Sequence, residues 1–156
     1  MIIIGIDPGL NGAIAFFHIE KGHLSIVDMP TVEVKRGAKM KREVSPAMLA
    51  HIIKMAEGVE HSIMERVGAM PGQGVSSVFA FGRSTGIIEG VLAALQVPTT
   101  IVTPQTWQKA CNVRGGKDGS RLRAAELFPN YANLFARKKD DGRADAALMA
   151  WYGAIK

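Results

Sequence analysis

One cysteine, Cys111, stands among 156 residues. This excludes an internal disulfide framework and any zinc site built from cysteines within one chain, and it suits a reducing, cytoplasmic setting. No run reaches the roughly 18 apolar residues of a membrane span. The apolar N-terminus has no basic leader and is broken by Asp7, so the chain reads as soluble, unprocessed and without a membrane partner. Aromatic residues are sparse at 6%, and the 14 acidic side chains are outnumbered by 19 basic ones. With no internal repeat or low-complexity linker, and with 47% hydrophobic residues to fill a core, the length suits a single domain over residues 1–156. A net charge of +5 and a pI ≈ 9.6 leave a positive surface that favours a polyanionic partner.

Residues 2–7 are an isoleucine-rich run that predicts a buried strand, stopped by Pro8-Gly9. Residues 12–19 and 24–29 continue it as a three-strand antiparallel meander with turns at Asn11-Gly12 and Lys21-Gly22. The stretch 31–43 carries Lys35, Arg36, Lys39, Lys41 and Arg42 with little periodicity and reads as an exposed basic loop. Ser45-Pro46 opens a helix whose apolar stripe includes Met48, Leu49, Ile52 and Ile53 and which ends at Gly58. A strand over 61–65 is followed by an irregular stretch over 68–74. Residues 75–96 then predict a helix in which Gly82, Gly86 and Gly90 let a neighbour approach closely, offsetting about 1 kcal/mol of helix propensity per glycine. A strand over 97–102, a short helix from Pro104 containing Trp107, a loop over 115–119 and a helix over 120–128 come next. The last helix begins at Asp140 or Asp141 and runs to Tyr152.

Two predicted strands end in acids. A buried isoleucine strand has no use for a carboxylate, so Asp7 at its lip is either a turn former or a ligand. Glu65 is either a solvated strand end or a second ligand. On the last helix, residues four apart share a face, which pairs Asp141 with Asp145 and turns Asp140 about 100° away. Asp140 or Asp141 also suits a helix N-cap, where the partial positive charge favours an ionised acid. Together Asp7, Glu65, Asp141 and Asp145 supply hard oxygen donors of the kind Mg²⁺ or Mn²⁺ takes with water and substrate phosphate. Two such ions about 3.5 to 4 Å apart clamp a scissile phosphate, with Asp7 bridging them, Glu65 on one side and Asp141 with Asp145 on the other. The basic residues Lys35, Arg36, Lys39, Lys41 and Arg42, with Lys117, Arg121 and Arg123, are candidate phosphate contacts; the plainer alternative is a solvated charged face.

These residues fall into an ordered set of motifs: Gly5-Ile-Asp7-Pro-Gly9 with Gly12, then Ile63-Met-Glu65, then Gly142-Arg-Ala-Asp145-Ala-Ala-Leu-Met-Ala150. Between them lie Met70-Pro-Gly-Gln-Gly74, the glycine-spaced helix, Pro104-Gln-Thr-Trp107-Gln-Lys109, Lys117 and Leu127-Phe128-Pro129. In this order the chain resembles RuvC-type Holliday junction resolvases of the kind phages often encode, within the ribonuclease H-like superfamily. The resemblance implies an α/β ribonuclease H-like fold, a mixed five-stranded sheet of three antiparallel then parallel strands flanked by helices. It implies a homodimeric, metal-dependent endonuclease that cuts four-way or branched DNA, working in the host cytoplasm if phage-encoded. Asp7, Glu65 and Asp145 carry over directly as catalytic metal ligands. Family members have an acid or histidine three residues before the last aspartate. Gly142 stands there instead, which moves that role to Asp141, with Asp140 as the alternative. The segment after the second acid resembles the part that reaches into the junction, making Gln73, Ser76, Ser77 and Arg83 candidate DNA contacts.

Two other classes share features with this chain. A catalytically silent branched-DNA binding protein could use the same scaffold. An actin-like or sugar-kinase ATPase also begins with Gly-Ile-Asp-x-Gly, but such enzymes close two domains on a nucleotide, and Gly116-Lys117 is followed by Asp118 rather than by the Ser or Thr of a phosphate-binding loop.

Overall fold

The computed structural model describes residues 1–156. The chain opens with β1 (Ile2–Asp7), β2 (Ala13–His18) and β3 (His23–Asp28), then a hairpin of β4 (Thr31–Arg36) and β5 (Lys39–Val44). It continues through α1 (Pro46–Met55), β6 (Val59–Glu65), α2 (Val75–Ala94), β7 (Thr99–Val102), α3 (Pro104–Ala110), α4 (Gly119–Leu127) and α5 (Asp141–Ile155). Five strands form one sheet in the order β3-β2-β1-β6-β7. The first three are antiparallel, and β6 and β7 run parallel to β1. This is the mixed sheet that the resemblance implies, and its antiparallel start is the meander read from the sequence.

Isoleucine fills β1 because the strand is central and covered on both faces, the situation in which strand alternation disappears. Ile3 packs with Ala13, Ala15, Phe17 and Ile63 beneath α5. Ile4, Ile6, Ile14 and Met64 face Leu49 and Ile53 of α1 and Ile88 and Leu92 of α2 on the other side. Side chains two apart share a face, so Asp7 continues the Ile3–Gly5 row and Glu65 continues from Ile63. Both acids therefore emerge on the α5 side. The parallel register pairs Ile6 with Met64, which sets the next residues, Asp7 and Glu65, side by side at the carboxyl ends of their strands.

Small residues let α5 lie directly on this face. A Cβ at Gly5 would fall inside contact distance of the Ala146 carbonyl and the Ala150 nitrogen. At Gly142 it would meet the Asn11 carbonyl at 2.7 Å and Asp7 Oδ2 at 3.1 Å. The alanines at 144, 146, 147 and 150 are fully buried.

Two expectations are corrected. The basic stretch over residues 31–43 is a paired β-hairpin and not a loop, with Lys35 opposite Met40 and Arg36 opposite Lys39 around a left-handed Gly37 (φ 61). It is largely exposed on both faces, so its alternation carries little hydrophobic signal. Gly82, Gly86 and Gly90, expected to admit a close neighbour, face open space within this chain. On the same helix, Val75 and Phe79 are 87% and 74% exposed.

Candidate functional site

Asp7 ends β1 where Pro8-Gly9 turns the chain, and its Oδ1 accepts the Gly9 amide at 3.2 Å. The turn-former reading therefore holds, and the same carboxylate stands at the lip of the sheet. Burial raises the Asp7 pKa above the usual carboxylate value, against the lowering effect of the Gly9 bond. Glu65 ends β6. Burial raises its pKa too, and the Asp7 charge adds to the rise, while a hydrogen bond from Trp107 opposes it. That bond runs from the indole N–H to Glu65 Oε2 at 2.9 Å.

Asp145 lies on α5, on the side of the sheet where both strand-end acids emerge. Burial, reinforced by the charges of Asp7, Glu65 and Asp141, pushes its pKa up to about 7, with a Ser120 hydrogen bond working the other way. Its Oδ1 is buried and makes no hydrogen bond. Such an orphaned acceptor is costly unless a cation or donor meets it, and hard oxygens of this kind suit a divalent metal. The donor set therefore fits Mg²⁺ or Mn²⁺. No group of three acidic, histidine or cysteine side chains converges on a single point.

The two neighbouring acids of the last helix are separated by their partners. Asp140 is buried and accepts from the Arg137 amide at 2.9 Å, from Arg137 Nε at 3.2 Å and from Arg137 Nη2 at 2.9 Å, with Arg143 at 3.7 Å. Burial opposes its charge, but these hydrogen bonds and cations hold its carboxyl below the usual range. Arg143 also grips Asp28 of β3 through two bonds of 2.7 and 2.8 Å. Asp140 thus fastens the start of α5 to the structure around it. Asp141 is exposed and lines one cavity of about 360 Å³ with Asp145, Lys117 and Arg114. Asp140 is thus committed to its arginines, whereas Asp141 is exposed and bonded to Arg121.

Cationic side chains surround the acids on both sides. A larger cavity of about 1140 Å³ runs from Asp7 past Arg42, Arg137, Lys138 and Lys139. Arg42 Nη2 donates to the Leu10 carbonyl at 2.9 Å and to Asn11 Oδ1 at 2.5 Å, pinning the hairpin to the turn that carries Asp7. Arg42 also lines a cleft of about 580 Å³ with Lys41, Ser76, Ser77 and Arg83, bringing four further expected DNA contacts together. Lys35 and Lys39 lie toward the hairpin tip, while Arg36 is held in a two-bond pair with Glu43, both bonds 3.0 Å.

Three expected DNA contacts are placed otherwise, among them Arg123, which donates to the Cys111 carbonyl at 2.6 Å and to Glu126 at 2.8 Å. Arg121 is turned inward, bonded to Asp141 at 3.1 Å, to Asp118, and to the carbonyls of Phe135 and Ala136 at 3.3 and 3.2 Å. Gln73 Oε1 folds back to accept the Met70 amide at 2.8 Å. Sequence reasoning missed Trp107, Arg114, Arg137, Lys138 and Lys139 as site residues. Their signals were a tryptophan just after a helix-opening proline and a basic pair immediately before the acidic pair.

A mixed five-stranded sheet with acids at the ends of its central strands, and a further acid on the helix crossing them, defines a ribonuclease H-like fold in the RuvC arrangement. Thermus thermophilus RuvC matches over 99% of this chain and 96% of its own, with a TM-score of 0.60 at 15% identity. The structure of T. thermophilus RuvC in complex with Holliday junction substrate matches with a TM-score of 0.61 at 14% identity over the same shares. At these identities the likeness establishes the fold. By sequence, the chain is 32% identical over 83 residues to the chloroplastic Holliday junction resolvase MOC1 of Chlamydomonas reinhardtii. The match takes in 52% of this chain and 9% of that protein. No family model matches the chain. No helix is long and apolar enough to cross a membrane.

The raised Asp145 pKa fixes the sign of a pH effect. The folded chain holds this proton more tightly than the unfolded one, so stability is lost as pH rises from the ordinary aspartate value of 3.8 to about 7 and stays low above that. In metal-free buffer Asp145→Asn should therefore stabilise the protein by about 2 to 4 kcal/mol at pH 8, and the gain should shrink toward pH 4. Urea midpoints for both proteins across this range check it; a gain independent of pH contradicts the buried-charge account.

Proposed function

We propose that this chain is a structure-selective endonuclease that hydrolyses phosphodiester bonds at four-way or branched DNA junctions, using divalent metal ions held by Asp7, Glu65, Asp141 and Asp145. The observation that carries this reading is the buried, unpartnered Asp145 Oδ1 beside two strand-end acids whose pKa values are also raised. Fold likeness to RuvC and the sequence match to a Holliday junction resolvase supply the substrate class.

Asp7, Glu65, Asp145 and Asp141 would be the residues that hold the metal ions, with Asp7 as the acid that the strand ends and the last helix have in common. Bound Mg²⁺ or Mn²⁺ supplies the Lewis-acid chemistry, lowering the pKa of the attacking water and neutralising charge on the scissile phosphate. The protein's part is orientation. The β1 and β6 ends and the α5 backbone hold the carboxylates in place before substrate arrives, so little reorganisation remains for the reaction itself. Arg42, Lys138, Lys139 and Lys117 line the cavities beside the acids, where they track the phosphate backbone on either side of the cut. A silent DNA binder gains nothing from acids set among its phosphate-binding cations.

Paired cutting of a symmetric junction calls for two copies of the chain. The exposed face of α2, with Val75 and Phe79 beside the open glycine positions 82, 86 and 90, suits a second copy, since small residues let two helix backbones approach closely.

Asp7→Asn should abolish cleavage of a synthetic four-way junction in Mg²⁺ while leaving junction binding intact; undiminished cleavage sinks the catalytic assignment. Binding by that variant should weaken steeply with salt, and replacing Lys35, Lys39 and Lys41 by alanine should flatten the slope by about 0.9 for each phosphate that is no longer neutralised. A slope unchanged by the triple substitution removes the hairpin from the DNA face. In sedimentation, the wild-type chain should form a dimer that Gly86→Glu converts to monomer; a wild-type monomer with junction present contradicts paired cutting.

A further inference from the structure

Trp107 is fully buried, and its indole nitrogen can only donate. A buried indole N–H requires an acceptor, and here it donates to Oε2 of Glu65 at 2.9 Å. The placement follows from the chain path. Val102, the last residue of β7, pairs with Glu65 at the end of β6. Thr103 then caps α3, accepting the Thr106 amide at 3.3 Å, with Pro104 in the first turn. One turn into that short helix, Trp107 arrives over the Glu65 carboxylate. Its ring lies in the core with Ile63, Val102, Cys111 and Leu148, so it cannot swing away when the site fills.

We propose that Trp107 is a positioning residue that makes Glu65 a one-oxygen ligand and thereby favours Mg²⁺ over Ca²⁺ at this centre. The proposal rests on the metal-dependent reading above. The indole takes one lone pair of Oε2 and holds the carboxylate from one side, which disfavours a cation sharing both oxygens at once and leaves Oε1 as the unengaged donor. Mg²⁺ demands near-octahedral geometry from single oxygens, whereas Ca²⁺ readily takes both oxygens of one carboxylate in a larger, looser shell. The hydrogen bond also fixes the carboxylate plane, and partners of this kind behind a metal ligand are worth about 10- to 100-fold in metal affinity or activity.

Two measurements test this. The chain has two tryptophans, and Trp151→Phe leaves Trp107 as the sole indole while keeping an aromatic ring against Phe17 and Phe128. Emission of that protein should change on adding Mg²⁺, and the change should vanish when Glu65→Gln is added. In the full chain, Trp107→Phe keeps the ring and removes the donor. Its half-saturating Mg²⁺ for junction cleavage should rise about 10- to 100-fold, and its Ca²⁺-to-Mg²⁺ affinity ratio by calorimetry should rise as well. Metal-free junction affinity should stay within about twofold, which a merely structural role for the ring would not select. A folded Trp107→Phe with wild-type Mg²⁺ dependence and ion preference overturns the proposal. Should that variant not fold, Mg²⁺ binding to the Trp151→Phe protein without any emission change overturns it instead. Failure of the wild-type chain to bind Mg²⁺ at all, with or without junction, is a different result: it removes the metal-centre reading and this inference with it.

Discussion

The close approach of α5 to β1 is the constraint on which the rest of the structure depends. A strand and a helix come this near only when the strand has no side chain at the crossing and the helix has only small ones, and Gly5 under Ala146 and Ala150 meets that condition. The same approach continues at Gly142, which sits against the Asn11 carbonyl and the Asp7 carboxylate. It therefore sets how far Asp145, one residue before Ala146, stands from the acid at the end of the strand. At Gly142 there is no room for a side chain. Asp141, one residue earlier and on the same helix face as Asp145, is exposed and held by Arg121 alone.

Three identical side chains in one short segment show how partners decide ionisation. Asp140 is buried with arginines on it and has a lowered pKa, Asp145 is buried among other acids and has a raised one, and Asp141 is exposed and shares Arg121 with Asp118. Of the three, Asp145 alone carries a buried oxygen without a partner. The neighbouring cations are placed around the acids instead of on them: Arg137 and Arg143 neutralise Asp140, while Lys117, Lys138 and Lys139 pair with no acid and line the cavities. The charge that a polyanion needs is thus available at the walls, and the charge that a cation needs is concentrated at the floor.

Much of this was legible from residue order. The isoleucine run ending in Asp7, the strand ending in Glu65 and the four-residue spacing of Asp141 and Asp145 all mark the site, because strand and helix periodicity dictate which side chains share a face. What escaped was set by partners distant in sequence. The hairpin over β4 and β5 was hidden because its two faces are both solvated, so its alternating residues show no hydrophobic contrast. Arg121 reads as a surface cation in the sequence, and only the fold brings Asp118, Asp141 and two carbonyls to it. The link from Trp107 to Glu65 spans 42 residues, and only the parallel pairing of β6 with β7 brings its ends together.

The central claim is that the acids meet the scissile phosphate through metal ions. It is tested most directly with a four-way junction carrying one phosphorothioate, sulfur replacing a non-bridging oxygen at the cut. Mg²⁺ binds sulfur poorly, and softer ions accept it. The account expects the modified junction to be cut far more slowly than the normal one in Mg²⁺, with Mn²⁺ or Cd²⁺ restoring the rate. Equal cleavage of both junctions in Mg²⁺ for either sulfur stereoisomer, or cleavage that persists in chelator, would contradict it.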